Sequence, residues 1–299
     1  LTAIKTYICS YSGSIMRKLL FILGIALLPF AGAHAQMFYT STEYGITVGG
    51  SQYFGDLNDN YGFKTPNPAI GGFTRIHLNP FISVRLGANL TRVSYDDKLS
   101  NHAFNKKRNL NFTSNIVEAA VFTEFNFFRF MTGEENSRWT PYLVGGAGIF
   151  YYSPYTDLDG RRYNLRDMGT EGQYSGYVDR SYSSTSFMFP VGAGFKYWLR
   201  PGVNFGFEIA DRLTLTDYLD DVSATYAGAA SFDARPGFEN AAFRLQDRST
   251  EISDVPLGRE GKQRGNSASN DQYLMFTFKL SFQLRTYKCP SYLKQGFMY

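Results

Sequence analysis

Cysteine is nearly absent: the 299 residues hold two, Cys9 and Cys289. Cys9 lies in a segment expected to be removed, which would leave Cys289 as the single thiol of the mature chain. One thiol excludes an intramolecular disulfide and a thiolate metal cluster, and leaves open an intermolecular disulfide through Cys289. Histidine is scarce too, with three in the whole chain, of which His77 and His102 follow residue 36. Long apolar runs are also missing. Past residue 36 none approaches the roughly 20 residues that a membrane helix needs. Finally, no charge of one sign dominates. Setting aside the first 35 residues removes Lys5, Arg17 and Lys18 and leaves 27 basic residues against 26 acidic, a net of +1. Such a balance gives no reason to expect nucleic acid as a partner.

The N-terminus reads as a secretory signal. Met16-Arg17-Lys18 is followed by an apolar run over 19–28, too short to span a bilayer, and Ala33-His34-Ala35 supplies a cleavage pattern. The expected organisation is an upstream extension (1–15), a signal peptide (16–35), a barrel (36–285) and a periplasmic tail (286–299). No cysteine stands at the cleavage site, which argues against a lipoprotein.

What the chain has in abundance is aromatic residues, 17% with 27 Phe and 22 Tyr, together with 29 glycines. This is the balance of an outer-membrane barrel, whose spanning segments are half polar. The run 273–285 carries the pattern best. Leu274, Phe276, Phe278, Leu280, Phe282 and Leu284 alternate with Met275, Thr277, Lys279, Ser281 and Gln283. A period of two puts every apolar group on one face of a strand.

Seven more such runs occur, at 43–55, 69–78, 81–95, 111–130, 139–152, 185–199 and 203–215. The facing of 139–152 is left open by its glycines, Gly145-Gly146-Ala147-Gly148, which sit inside a strand and make no phosphate loop. Connections alternate between long (56–68, 96–110, 153–184, 216–272) and short (79–80, 132–138, 200–202). Eight strands with that parity predict an all-β fold: an eight-stranded antiparallel transmembrane β-barrel with short periplasmic turns and long extracellular loops, in contact with outer-membrane lipids. A barrel of eight strands is just wide enough to be filled by its own side chains. The expected inward set includes Arg75, Arg85, Glu118, Glu124, Lys196, Glu208, Arg212 and Lys279, a plug rather than a pore.

Chemistry is sparse. His77, at a periplasmic strand end, reads as a lumen or rim histidine, and His102 lies in a polar loop. Neither has an adjacent Ser and acid in a spacing that suggests a nucleophile–base pair, so no catalytic residue is assigned. Asp217, Asp220 and Asp221, with Asp56 and Asp59, fall on one loop rim and offer oxygen ligands for calcium. Without a fixed spacing, Asx-turn chemistry is the better reading, and neither a metal nor a cofactor is assigned. Asn89-Leu90-Thr91 and Asn111-Phe112-Thr113 match the glycosylation acceptor, a pattern too permissive to use. The tail, with its aromatics and Cys289, reads either as a free end or as a periplasmic docking segment.

Four stretches carry a resemblance: Tyr53-Phe54-Gly55-Asp56-Leu57-Asn58, Pro141-Tyr142-Leu143-Val144-Gly145-Gly146, the run 216–223, and Tyr287-Lys288-Cys289-Pro290. Together they resemble the PorG family, the outer-membrane barrels associated with the type IX secretion system of Bacteroidetes. The resemblance implies a non-enzymatic envelope subunit that anchors a periplasmic ring, built from a lipoprotein and its partner subunit, during protein export and, in gliding species, motility. The ring contact is expected at Tyr287, Lys288, Cys289 and Pro290 and at the short turns. The alternatives are a generic porin-like or OmpA-like barrel, which stabilises the envelope or binds ligands with its loops, and a lipid-modifying barrel enzyme.

Overall fold

A computed structural model describes residues 42–58, 61–132, 134–232 and 240–284. Among the described residues nine strands form: β1 (Thr42–Phe54), β2 (Asn67–His77), β3 (Ile82–Asp96), β4 (Asn111–Asn126), β5 (Trp139–Leu158), β6 (Arg161–Asn164), β7 (Thr185–Arg200), β8 (Val203–Thr214) and β9 (Gln272–Leu284). Eight of them close a ring, because β1 pairs with β9 and β4 pairs with β5. The ring is antiparallel throughout and leaves no edge within it, the requirement for a sheet in lipid. No helix among the described residues is long and apolar enough to cross a membrane; the strands do the crossing.

The ninth strand, β6, lies outside the ring and corrects the expectation of a plain loop over 153–184. β5 runs on to Leu158, turns at Asp159-Gly160, and pairs back through Leu158↔Arg161. Both turn residues have positive φ, 53° and 75°, as a two-residue type I′ hairpin demands, and Asp-Gly is a preferred pair for it. The hydrophobic alternation stops at Tyr152, so periodicity alone missed this extension. β4 ends at Asn126 rather than at 130, and its turn to β5 spans 127–138.

The outer wall is inverted relative to a soluble protein. Val48, Ile70, Leu86, Val121, Leu143, Val191 and Phe278 all stand about half exposed around the ring. Rings gather where β4 turns into β5. Trp139 packs against Phe128 and Phe195 at 5.0 and 5.7 Å, and Phe125 meets Phe127 at 5.7 Å. An apolar band edged by aromatics is the lipid-facing surface of an outer-membrane barrel, and that is where this chain resides.

Inside, every residue of the expected inward set is buried. The glycines of β5 let it lie close against β4. A Cβ on Gly146 would lie 2.3 Å from the Val121 carbonyl oxygen, and one on Gly148 2.5 Å from the Ala119 oxygen. The facing of β5 is thereby settled: Tyr142, Val144, Phe150 and Tyr152 point inward.

Candidate functional site

The lumen holds four buried carboxylates, and each is met by cations or donors. Glu124 sits between Arg75 (2.8 Å), Arg85 (2.7 Å) and Lys196 (2.6 Å). Glu208 accepts from Arg85 at 2.8 Å, from Tyr142 at 2.7 Å and from Lys279. Glu118 takes Asn89 (2.7 Å), Tyr273 (2.6 Å) and Arg212 (3.1 Å). Phe122 lies under Arg85 with the guanidinium 4.1 Å from the ring centre. Charges this deep persist only when paired and hydrogen-bonded. Asn89 belongs to this network, which rules it out as a glycan acceptor.

The fourth carboxylate, Glu43, organises the inner end of the barrel. It accepts from Arg75 (2.7 Å), Asn204 (2.7 Å) and Ser281 (2.9 Å), and its Oε1 lies 2.6 Å from His77 Nε2. His77 Nδ1 lies 2.8 Å from Ser83 Oγ. Ser83, His77 and Glu43 thus form a hydroxyl–imidazole–carboxylate chain that their sequence spacing did not show, because β1, β2 and β3 must pair before the three meet. A nucleophile also needs a substrate beside it. Ser83 and Glu43 are wholly buried, Glu43 is already saturated, and Phe130 closes over His77 with ring centres 6.4 Å apart. The chain therefore reads as part of the plug.

The outer end is closed by its own loops. Tyr95, Leu110 and Phe112 at the barrel top join Leu158, Leu165, Leu219, Val222 and Leu245 in one continuous buried cluster. The loops carry short helices, α1 (Ala103–Arg108), α2 (Leu165–Met168) and α3 (Ala241–Gln246). Two arginines tie the loops together. Arg108 binds Asp97 at 2.7 Å and donates to the Arg264 carbonyl at 2.6 Å. Arg264 donates to Glu171 (3.1 Å) and to the Asp221 carbonyl (2.5 Å), and Glu171 also accepts from the Ser223 and Ala224 amides at 3.0 and 3.1 Å. No sequence pattern singled out Glu171, Arg264 or Asp97.

The rim aspartates do gather here, with two changes of cast. Asp59 lies outside the described residues, and Asp271, which the sequence did not single out, joins. Tyr53 Oη lies 2.5 Å from Asp220 and 2.9 Å from Asp271. A phenol has one proton to give, so the second contact needs a proton on a carboxyl. Burial, with the neighbouring acids adding, pushes both carboxyls well above the usual carboxylate range. Burial likewise raises Asp56 to about 6 and Asp217 to about 7. Asp221 is lifted to about 6 by burial although Arg264, Thr170 and Tyr182 all face it. Asp220 Oδ1 accepts from the Val222 amide at 2.8 Å, an Asx turn as expected. Among the described residues no group of three or more His, Cys, Asp or Glu side chains has an arrangement suited to a metal ion. The tail residues Tyr287, Lys288, Cys289 and Pro290 lie outside the described residues.

Comparison with known proteins gives a family. A model of DUF6089, a domain of unknown function, matches residues 17–232. No curated protein matches. Among solved structures, the chain is similar to Ail, the attachment invasion locus protein of Yersinia pestis, solved with the heparin analogue sucrose octasulfate (9% identity, 83% of this chain and 100% of that one, TM-score 0.39). It is also similar to the N-terminal barrel domain of Pseudomonas aeruginosa OprF (9%, 82% and 99%, TM-score 0.35) and to Neisserial surface protein A (12%, 81% and 97%, TM-score 0.39). At these scores nothing that those proteins bind is carried over.

Proposed function

The chain belongs to the DUF6089 family, and we propose that it is a non-enzymatic subunit of the type IX protein secretion machinery that anchors the periplasmic ring. The observation that carries this is the filled lumen. A barrel packed by paired charges from Glu43 to Glu118 and roofed by its loops has no route for a solute. It acts by holding a place in the membrane and by the surfaces it shows. The four stretches that resemble the PorG family supply the identity of the partner, a lipoprotein ring with its second subunit, met from the periplasmic side by the tail and the short turns.

The test is a pull-down of tagged protein from crosslinked native outer membranes, with and without reductant. Recovery of a periplasmic lipoprotein ring is the expected outcome, and loss of one partner under reductant assigns a disulfide to Cys289. A barrel recovered alone overturns the reading and leaves a porin-like or OmpA-like role, which the structured outer cap favours as second choice. The non-enzymatic part has its own check. A fluorophosphonate probe should leave Ser83 unlabelled in the folded barrel; labelling that is lost in Ser83→Ala would make it an enzyme.

A further inference from the structure

Beside the roof, on the outer face, lies a cavity of about 730 Å³ between the β1–β2 loop, α1 and the β8–β9 loop. Its walls combine aromatic rings with side-chain amides. Phe54 and Tyr61 pack with centroids 5.0 Å apart, and Phe104 stands across from them on α1. Tyr61 is 63% and Phe104 47% exposed, and both line the cavity. Tyr61 is held in the left-handed region, φ 52°, a costly conformation for a bulky residue that persists only where surroundings impose it. Two contacts fix it: the Phe54 ring, and Gln272 Nε2 donating to its hydroxyl at 3.2 Å.

The polar lining is amide-rich: Asn58, Asn266 and Gln272 are committed to hydrogen bonds within the protein, and three further amides are not. Asn105, Gln263 and Asn270 line the cavity, and their side chains make no hydrogen bond to another described residue. Each such amide offers both donor and acceptor. The cations are spent. Arg108 and Arg264 line the cavity, but their guanidiniums are taken by Asp97, Glu171 and backbone carbonyls. One carboxyl, Asp56, already accepts from the Asn266 amide at 2.8 Å.

We infer that this cavity binds an uncharged oligosaccharide at the cell surface. Sugar rings present apolar C–H faces, which aromatic side chains cover, and hydroxyls that both donate and accept, which free amides answer. An anionic ligand would find no free guanidinium. A purely apolar ligand would strand the amides, at a cost for each polar group left unpaired. The inference does not depend on the secretion reading, since it concerns the opposite face of the barrel.

The test uses the full mature chain folded in nanodiscs. Titration calorimetry is run with a panel of hexaoses (malto-, cello-, xylo-, manno- and chito-) and with delipidated polysaccharide from the producing cell, and heparin hexasaccharide is the charged control. At least one neutral saccharide should bind, and Phe104→Ala or Tyr61→Ala should weaken it about tenfold, the value of a lost stacking contact. The heat-modified gel shift of the barrel should stay unchanged in both variants. Binding to the cell's own polysaccharide would locate the source in the envelope, and binding only to the hexaoses would locate it outside. The inference is overturned if no neutral saccharide binds, if binding survives both substitutions, or if heparin binds more tightly than the neutral sugars.

Discussion

Two buried clusters of acids, one in the lumen and one in the roof, are built on opposite principles. In the lumen every carboxylate faces a cation. Glu124 alone meets Arg75, Arg85 and Lys196 within 2.8 Å. In the roof Asp220 and Asp271 face each other across Tyr53, with Asp56 and Asp217 close by. The first arrangement holds its charges because their partners are equally buried. The second avoids the charge by keeping protons. A plug that must stay shut in any medium and a roof that responds to the medium follow from that difference.

The largest expected effect breaks the lumen. Glu124→Ala takes a shared carboxylate from three cations: Arg75 keeps Glu43 and Arg85 keeps Glu208, but Lys196 loses its carboxylate partner, and removing one partner of a buried pair costs about 3–5 kcal/mol. Urea unfolding followed by the gel shift should show a lower midpoint, and an unchanged midpoint would mean that water reaches the lumen.

Next comes the pH response of the roof. The raised carboxyls bind more protons folded than unfolded, so the roof gains stability as pH falls from about 7 (Asp217) through about 6 (Asp56 and Asp221) toward the ordinary carboxylate range, and loses it as pH rises through those values. Protection factors of residues 215–232 and 240–271, that is, hydrogen exchange relative to the intrinsic rate at each pH, should rise between pH 8 and pH 5, while those of the lumen strands change little. A flat profile would erase the contrast between the two clusters.

Asp220→Asn sharpens it further. The amide can still accept from the Val222 amide and donate to Tyr53, without the charge, so the roof should tighten at pH 8 by about 1 kcal/mol and lose part of its pH response. Faster exchange in this variant would show that Asp220 is ionised after all. The smallest effect is Gly160→Ala. Nothing lies within 4 Å of the added carbon, but φ is 75°, so the β5–β6 hairpin alone should weaken, by about 1 kcal/mol. Exchange confined to 158–164 would report it.

Much of the barrel was legible from alternation. The run 273–285 places Lys279 opposite Phe278 and Leu280, and β9 buries the first while Phe278 stands about half exposed to lipid. The charged inward set followed from the same period of two, since a strand in a closed ring has only two faces. Loop parity then gave the ring its two ends. The candidate sites were less legible, because their members come from distant segments. His77 had no visible base or nucleophile partner until β1 and β3 brought Glu43 and Ser83 to it. Asp271 was one unremarked residue of the 216–272 loop until Tyr53, 218 positions earlier, reached it.

The sequence by itself therefore determined the class of the molecule: strands rather than helices, apolar outside and charged inside, eight in the ring. That information is local, carried by each residue's parity along its own strand. Only the tertiary structure decided what the long loops do. Their residues have no period to read, and their roles arise from contacts such as Arg264 with Glu171 and Tyr53 with Asp220, across 93 and 167 positions. Burial there comes from chain closure over the barrel, which turns scattered aspartates into a proton-holding roof and leaves Tyr61 and Phe104 facing an open cavity beside it.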